Sequence, residues 1–315
     1  MVEPTKNKEI RMEVKPSVFD NLEKTYKEII KSRKTPLLVM FYSEYAGEIL
    51  RYDIDALEEV FDDFLKSKGK EGFNELDLLI HTHGGEAHTS YRLIQLIRSY
   101  CKRLNVLVST HSHSGGTLIA FGADTVEMGR SATLSPIDIQ IEGDEKEIFS
   151  LLSIEKYLEF LKYTSKIYEF QNEKNKTQFI TELTKELVQE VCPSKLGELF
   201  RLRSLTELHS KALLNNYMLK NESNKKGISE QIISRFTKES PTHQFVMDYE
   251  LVQESGLVVK KMDSNIYKYT KDLINILGYL ERCGLICNFY PSSTNKKRPF
   301  FKIFSLEGVN ENQKK

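Results

Sequence analysis

The sequence predicts an α/β protein: a parallel sheet with crossover helices, followed by a helical region and a small C-terminal α+β element. Short, continuous apolar runs such as PLLVMFY (36–42) are typical of strands that are covered on both faces. Amphipathic helical patterns separate these runs at short intervals, which favours parallel pairing of the strands. From Glu145 the pattern changes to long helices rich in Lys and Glu.

Strand and helix patterns alternate in a regular order up to about residue 140. Each apolar run is four to seven residues long and each helical pattern brings apolar residues to one face. The predicted order is a helix ending at Lys34, strand 36–42, helix 57–65, strand 76–81, helix 87–103, strand 105–110, a small-residue helix 114–124 and strand 125–129.

The chain divides into four predicted units. They are an N-terminal helical arm (1–34), a core that carries the candidate site (35–145), a helical extension that completes the core (146–260), and a C-terminal helix with a hairpin (261–315). In the last unit, GLICNFY and FFKIFSL flank the basic turn SSTNKKRP, which is the outline of a winged helix that touches a phosphate backbone. The alternative is a solvated hairpin that packs on the core or on a neighbouring subunit.

Composition argues against several classes of protein. Lys plus Arg and Asp plus Glu each total 45, so the net charge gives no support for binding to nucleic acid or to an anionic membrane. No stretch approaches the roughly 18 apolar residues of a membrane span, and the N-terminus has no apolar signal segment. The four cysteines lack CxxC spacing, as is typical of reduced thiols. We expect a cytoplasmic protein without a bound cofactor.

Two polar loops with glycines follow neighbouring predicted strands. They are HTHGG (81–85) after the second strand and HSHSGGT (111–117) after the third. In an open parallel sheet, ligands and catalytic groups gather at the carboxyl ends of the strands. Glycine permits positive φ, and free N–H groups at a helix start can hold a negative oxygen. The loops predict a nucleophilic serine or an anion cradle, whereas a tight turn and a helix N-cap are the structural alternatives.

These loops, together with LSPIDIQ (134–140), resemble the Clp protease and crotonase superfamily and are most similar to its serine dehydrogenase proteinase family. That family typically shows a T-P-G-G turn, an A-x-S-A-G-T nucleophile turn and an L-G-P-I-D-P-Q tail. THGG (82–85), HSGGT (113–117) and LSPIDIQ occupy those places in the same order. The resemblance covers about residues 36–140 and implies a Clp/crotonase-like fold, a homo-oligomer, and a serine peptidase that acts on a peptide or protein substrate.

The resemblance also implies roles for individual residues. Ser114 would be the nucleophile that attacks the carbonyl carbon. The N–H of Gly84 or Gly85 and the N–H of Gly115 would form the oxyanion hole, because a tetrahedral oxyanion needs fixed donors about 3 Å away.

The general base is open at this point. Relatives divide between a histidine and a lysine as the proton acceptor. Lys156 and Lys166 lie in the helical region after 145, where a Ser-Lys pair of the signal peptide peptidase A kind would find its lysine. His111 and His113 stand beside the nucleophile where relatives carry small residues, so these imidazoles are the alternative bases.

The departures from the family pattern suggest other functions. His83 stands where relatives carry proline, Ser135 replaces glycine, and Ile139 replaces proline. An inactive Clp-like scaffolding or binding protein is therefore the alternative function, and nucleic-acid binding by the C-terminal element is another. The histidines at the two strand ends also allow a transition-metal site, since H-x-H in an extended chain directs both rings to one side. We expect no metal, because no carboxylate or cysteine at ligand spacing accompanies them.

Overall fold

A computed structural model describes residues 16–42, 47–69, 71–142, 148–167, 172–240, 242, 245–282 and 302–307. The helices are α1 (Pro16–Arg33), α2 (Asp53–Lys68), α3 (Ala87–Tyr100), α4 (Gly115–Phe121), α5 (Leu151–Ile167), α6 (Glu173–Glu190), α7 (Pro193–Asn216), α8 (Lys225–Thr237), α9 (Tyr249–Glu254) and α10 (Ser264–Arg282). The strands are β1 (Leu37–Tyr42), β2 (Phe73–His81), β3 (Cys101–Val108), β4 (His111–Ser112), β5 (Thr125–Met128), β6 (Thr133–Leu134), β7 (Gln140–Glu142), β8 (Ile148–Ser150), β9 (Val259–Lys261) and β10 (Lys302–Glu307).

A six-stranded sheet lies at the centre, in the order β10-β1-β2-β3-β5-β9. Neighbouring strands from β1 to β9 pair in parallel, and β10 runs antiparallel to β1 at the edge. All six residues of β1 are buried, as its continuous apolar run predicts for a strand covered on both faces. The predicted α/β class, with a parallel sheet and crossover helices, is confirmed.

Helices cover both faces of the sheet because alternate strand residues point to opposite sides. Leu38 and Met40 of β1 belong to a cluster with residues of α2, α3, α4, α7 and α8. Leu37 and Val39 belong to a second cluster, with residues of α1 and α10. The Tyr26 hydroxyl of α1 donates a hydrogen bond to the Leu37 carbonyl at 2.7 Å, which fixes α1 on this second face.

An ion cluster joins the end of α1 to the sheet. The Arg33 guanidinium donates to both carboxylate oxygens of Asp77 on β2, at 2.7 and 2.9 Å, and to Glu127 on β5 at 2.9 Å. The Asp77 carboxylate is fully buried and also accepts a hydrogen bond from Asn105 Nδ2 at 2.8 Å. A buried carboxylate on β2 therefore has its charge partner supplied by α1 and a further hydrogen bond supplied by β3.

Two differences between the predicted and the observed elements affect the central sheet. Helix α3 ends at Tyr100 instead of residue 103, because Cys101 has extended backbone (φ −137°, ψ 144°) and pairs with Phe73 of β2. FFKIFSL contributes β10, which pairs with β1 of the central sheet. GLICNFY and the basic turn lie outside the described residues, so the winged helix stays a prediction, as do the four units, the homo-oligomer and the cytoplasmic location. Of the helices that the structure describes, none is long and apolar enough to cross a membrane.

Candidate active site

The two glycine-containing loops meet at the carboxyl edge of the sheet, as predicted. Thr82, directly after β2, forms a parallel bridge with Ser112 of β4. The Thr82 N–H donates to the His111 carbonyl at 3.3 Å, and the His113 N–H donates to the Thr82 carbonyl at 3.0 Å. Strand β4 also pairs in parallel with β6. Thr82, β4 and β6 thus form a short ladder beyond the carboxyl ends of β2 and β3. This ladder brings Gly84 beside Ser114.

Ser114 forms a sharp elbow between β4 and α4. Its backbone has φ +47° and ψ −110°, and the only other described non-glycine residue with positive φ is Lys34. Such a conformation costs about 1–3 kcal/mol and persists only when its surroundings hold it. Here the Ser114 N–H donates to the Ser135 hydroxyl at 2.8 Å, and the Gly116 N–H donates to the His113 carbonyl at 2.7 Å. The fold therefore supports a strained serine at the start of a buried helix.

Gly84 packs directly against this elbow. Its φ is +115°, and a Cβ added there would lie 2.7 Å from Ser114 Cβ and 2.9 Å from the His113 carbonyl oxygen. The Gly84 N–H donates to the Thr82 hydroxyl at 2.9 Å, and its carbonyl accepts from the Ile49 N–H at 2.8 Å. The close approach requires glycine, and the N–H of Gly84 is already engaged.

Gly85 and Gly115 carry the other two N–H groups that were predicted to form the oxyanion hole. A Cβ added at Gly115 would lie 3.3 Å from the Gly85 nitrogen, so the two backbones are neighbours. Among the described residues, neither N–H donates a hydrogen bond. Gly115 is also the first residue of α4, where backbone N–H groups have no partner within the helix. This pair can bind a negative oxygen.

Among the described residues, neither candidate lysine forms a hydrogen bond with Ser114. Lys156 pairs with Glu159 at 2.8 Å on the exposed side of α5, and Lys166 is exposed in the last turn of that helix. Asp138 accepts hydrogen bonds from the Ser150 hydroxyl and the Leu152 N–H at the start of α5. No described side chain forms a hydrogen bond with Ser114 Oγ, so the identity of the base stays a prediction.

The histidines form a block that we call the imidazole tile: His81, His83, His111 and His113. Because Thr82 pairs with Ser112, both H-x-H segments place their rings on one face of the ladder. Ring centroids lie 4.1 Å apart for His81 and His111, 4.3 Å for His83 and His111, and 4.9 Å for His111 and His113. Phe41 stacks on His81 at 5.0 Å, so the tile continues the α1 and α10 face of the sheet.

Burial and mutual repulsion keep the two inner rings of the tile, His81 and His111, uncharged at neutral pH. Burial, with the nearby His83 and His113, lowers the pKa of His81 to about 4. Burial, with the three other rings, lowers the pKa of His111 to about 2. His111 Nε2 is buried without a hydrogen-bond partner among the described residues. No three His, Cys, Asp or Glu side chains in the described part of the chain are placed to hold a metal ion.

The sequence did not reveal the residues that hold the elbow. Ser135 was visible only as a departure from the family's glycine, and its hydroxyl is the acceptor for the Ser114 N–H. Thr117 Oγ1 lies 3.0 Å from the Ser112 carbonyl oxygen and 2.9 Å from that of Ser135, and so ties α4 to both loops. The contacts of Ser135 with Ser114 and Thr117 do not follow from spacing along the chain, because they join segments that only the fold brings together.

The elbow and the glycine turn lie in a segment that matches a known protein family. Residues 22–159 match the model of the family described as ClpP-like SDH-type serine proteinase. The resemblance to the serine dehydrogenase proteinase family is therefore confirmed over this segment, which includes both loops and the LSPIDIQ tail.

Individual relatives are more distant. Two uncharacterized proteins of Methanocaldococcus jannaschii, MJ1495 and MJ0137, are each 36% identical over 66 residues, which is 21% of this chain. The chain spans only 23% of the length of these curated relatives. A mutant of the 1510-N membrane-bound stomatin-specific protease aligns with 13% identity and a TM-score of 0.41, over 73% of this chain and 83% of that one. ClpP1 from Listeria monocytogenes aligns with 11% identity and a TM-score of 0.35, over 76% and 98%.

Proposed function

We propose that the protein is a serine peptidase in which Ser114 attacks the carbonyl carbon of a peptide bond. The observation that carries the proposal is the elbow, a non-glycine residue at φ +47° that faces a glycine turn at the start of a buried helix. This strand–turn–helix arrangement exposes a nucleophilic hydroxyl beside backbone N–H donors. The family match over residues 22–159 gives the same reaction class.

In the proposed reaction, the Ser114 hydroxyl loses its proton to a base as Oγ bonds to the substrate carbon. The carbonyl oxygen becomes an oxyanion, and the N–H groups of Gly85 and Gly115 stabilise it. Gly85 is the better donor of the two candidates in its turn, because the Gly84 N–H is bound to Thr82. The amine of the substrate leaves with a proton, and water then releases the acyl group from Ser114. Lys156, Lys166, His111 and His113 stay the predicted bases.

A fluorophosphonate probe tests the proposal, since it reacts with activated serines. We expect the wild-type chain to be labelled and mass spectrometry to map the adduct to the peptide that contains Ser114. Ser114→Ala should not be labelled, although its circular dichroism should match that of the wild type. If the folded wild type is not labelled, the inactive scaffolding alternative is favoured, in agreement with the lack of a described hydrogen-bond partner for Ser114 Oγ.

Ser135→Ala is expected to slow this labelling about 5- to 100-fold. The change removes the acceptor of the Ser114 N–H, and leaving such a donor unpaired costs about 1–3 kcal/mol. The elbow should then relax away from its positive φ. The measurement is the labelling rate. Ser99→Ala is the control, because the Ser99 hydroxyl donates only to the Leu96 carbonyl, on the exposed side of α3. Equal rates for the two variants would show that Ser135 does not position the nucleophile.

A further inference from the structure

The imidazole tile and the proposed oxyanion donors are carried by the same two strand ends. His81 and His83 lead into the Gly84–Gly85 turn, and His111 and His113 lead into Ser114 and Gly115. On the opposite face of the ladder, Thr82 and Ser112 lie against α4, since a Cβ on Gly116 would lie 2.5 Å from each of their side chains. The rings therefore point away from α4 while their backbones hold the site.

Among the described residues, the groups in contact with the two inner rings, His81 and His111, are uncharged side chains and other histidines. From β1, Phe41 presents an uncharged ring. Thr110 presents a hydroxyl 2.6 Å from His81 Nδ1, and Thr133 one 2.9 Å from His113 Nε2. The charged groups that act on the two inner rings, His81 and His111, are the other histidines, and no carboxylate of the described residues contributes. Protons that enter this block repel one another across the ladder.

The ends of β2 and β4 can be hydrogen-bonded to each other (the paired state) or separated (the parted state). The equilibrium between these two states is therefore linked to pH. Burial and the other rings lower the pKa of His81 from 6.5 to about 4 and that of His111 to about 2, whereas rings exposed to water would return toward 6.5. The parted state then binds more protons below pH 6.5. Each unit of pH between 6.5 and 4 shifts the equilibrium toward the parted state by about tenfold for each such histidine, and about 100-fold for the pair. The paired state is fully favoured above pH 6.5.

We propose that the imidazole tile is an acid-sensitive switch: its protonation parts the ends of β2 and β4, separates the N–H groups of Gly85 and Gly115, and reversibly disables the Ser114 site. The separation of the strand ends is a property of the tile itself. The loss of reactivity rests on the function proposed above.

Hydrogen exchange of the full chain tests the switch without requiring catalysis. Protection factors, corrected for the intrinsic effect of pH, are measured for peptides that cover 81–86 and 109–116 between pH 8 and 4.5. We expect both segments to lose protection together below pH 6, more than tenfold per pH unit, while 101–108 of β3 stays protected. The loss should reverse on return to pH 8.

His81→Phe removes one titrating group and keeps a ring that stacks on Phe41. In this variant, protection should persist to lower pH and fall less steeply than in the wild type. His81→Asn serves as a second variant, because its amide can still pair with the Thr110 hydroxyl. His209→Phe is the matched control: burial and the nearby His88 lower the pKa of His209 as well, but it lies on α7, outside the tile. This control should behave as the wild type does.

Two outcomes would overturn the switch: unchanged protection of both segments down to pH 4.5, or the same acid response in wild type and both His81 variants. Fluorophosphonate labelling of Ser114 over the same pH range gives the second readout. If exchange shows the transition but no labelling occurs even at pH 8, the switch stands and the peptidase proposal fails. If labelling falls with acid while exchange does not change, titration of the general base explains the loss and the switch is wrong.

Discussion

Gly84→Ala is expected to slow fluorophosphonate labelling of Ser114 by at least about 100-fold, the effect of losing one oxyanion donor or misplacing the nucleophile. The alanine Cβ would lie 2.7 Å from Ser114 Cβ and 2.9 Å from the His113 carbonyl oxygen. Neither neighbour is the end of a flexible side chain, so the elbow or the glycine turn must move. The backbone at Gly84, with φ +115°, also strains any residue that carries a Cβ.

The matched control for this change is Gly69→Ala. Gly69 also has positive φ (+61°), at the C-cap of α2, but a Cβ there has nothing within 4 Å. The control therefore incurs backbone strain of about 1 kcal/mol without a clash. Labelling rates are compared at a temperature at which circular dichroism shows both variants folded. If Gly84→Ala is labelled within threefold of Gly69→Ala, the turn does not form part of the site.

Local patterns were sufficient to predict the sheet and the edge on which the site lies. LLVMFY and LDLLIH are continuous apolar runs, and each is a buried strand of the central sheet. Glycines directly after a strand predicted positive φ, which Gly84 and Gly85 have at +115° and +144°. These features follow from a few neighbouring residues, because burial on both faces and the absence of a Cβ act locally.

The remaining features depend on contacts that no local pattern encodes. The sequence showed two H-x-H segments, but only the pairing of Thr82 with Ser112 sets all four rings on one face. Lys156 and Lys166 stand at a distance along the sequence from Ser114 that suits a general base. Both lie on α5, which packs against α6, α7 and β8 and leaves both side chains exposed. β10 pairs with β1 across more than 250 residues of sequence, and its apolar alternation is equally consistent with the hairpin that was predicted. A period of two residues fixes the face of a strand but not its partner.

Asp77→Ala is expected to lower the free energy of unfolding by about 3 kcal/mol, because the buried Arg33 guanidinium loses one of its two charge partners and the hydrogen bonds to it. Arg33 has only 16% of its side chain exposed and would lose two hydrogen bonds at 2.7 and 2.9 Å, keeping Glu127 alone as its partner. The Asn105 amide would lose one of its two acceptors as well. The loss should appear as a lower midpoint of urea unfolding at neutral pH.

Glu75→Ala is the matched control, since Glu75 lies on the same strand and also accepts from Asn105, at 2.9 Å. Its side chain is 45% exposed and its ion pair with Arg103 is long, at 3.5 Å, so its removal should cost less than about 1 kcal/mol. Equal losses for the two variants would mean that burial of Asp77 adds nothing to the ion cluster. A triple variant, Arg33→Met with Asp77→Leu and Glu127→Gln, tests the cost of burying the cluster: it should be more stable than Asp77→Ala, because no charge of the cluster is left without its partner in the interior.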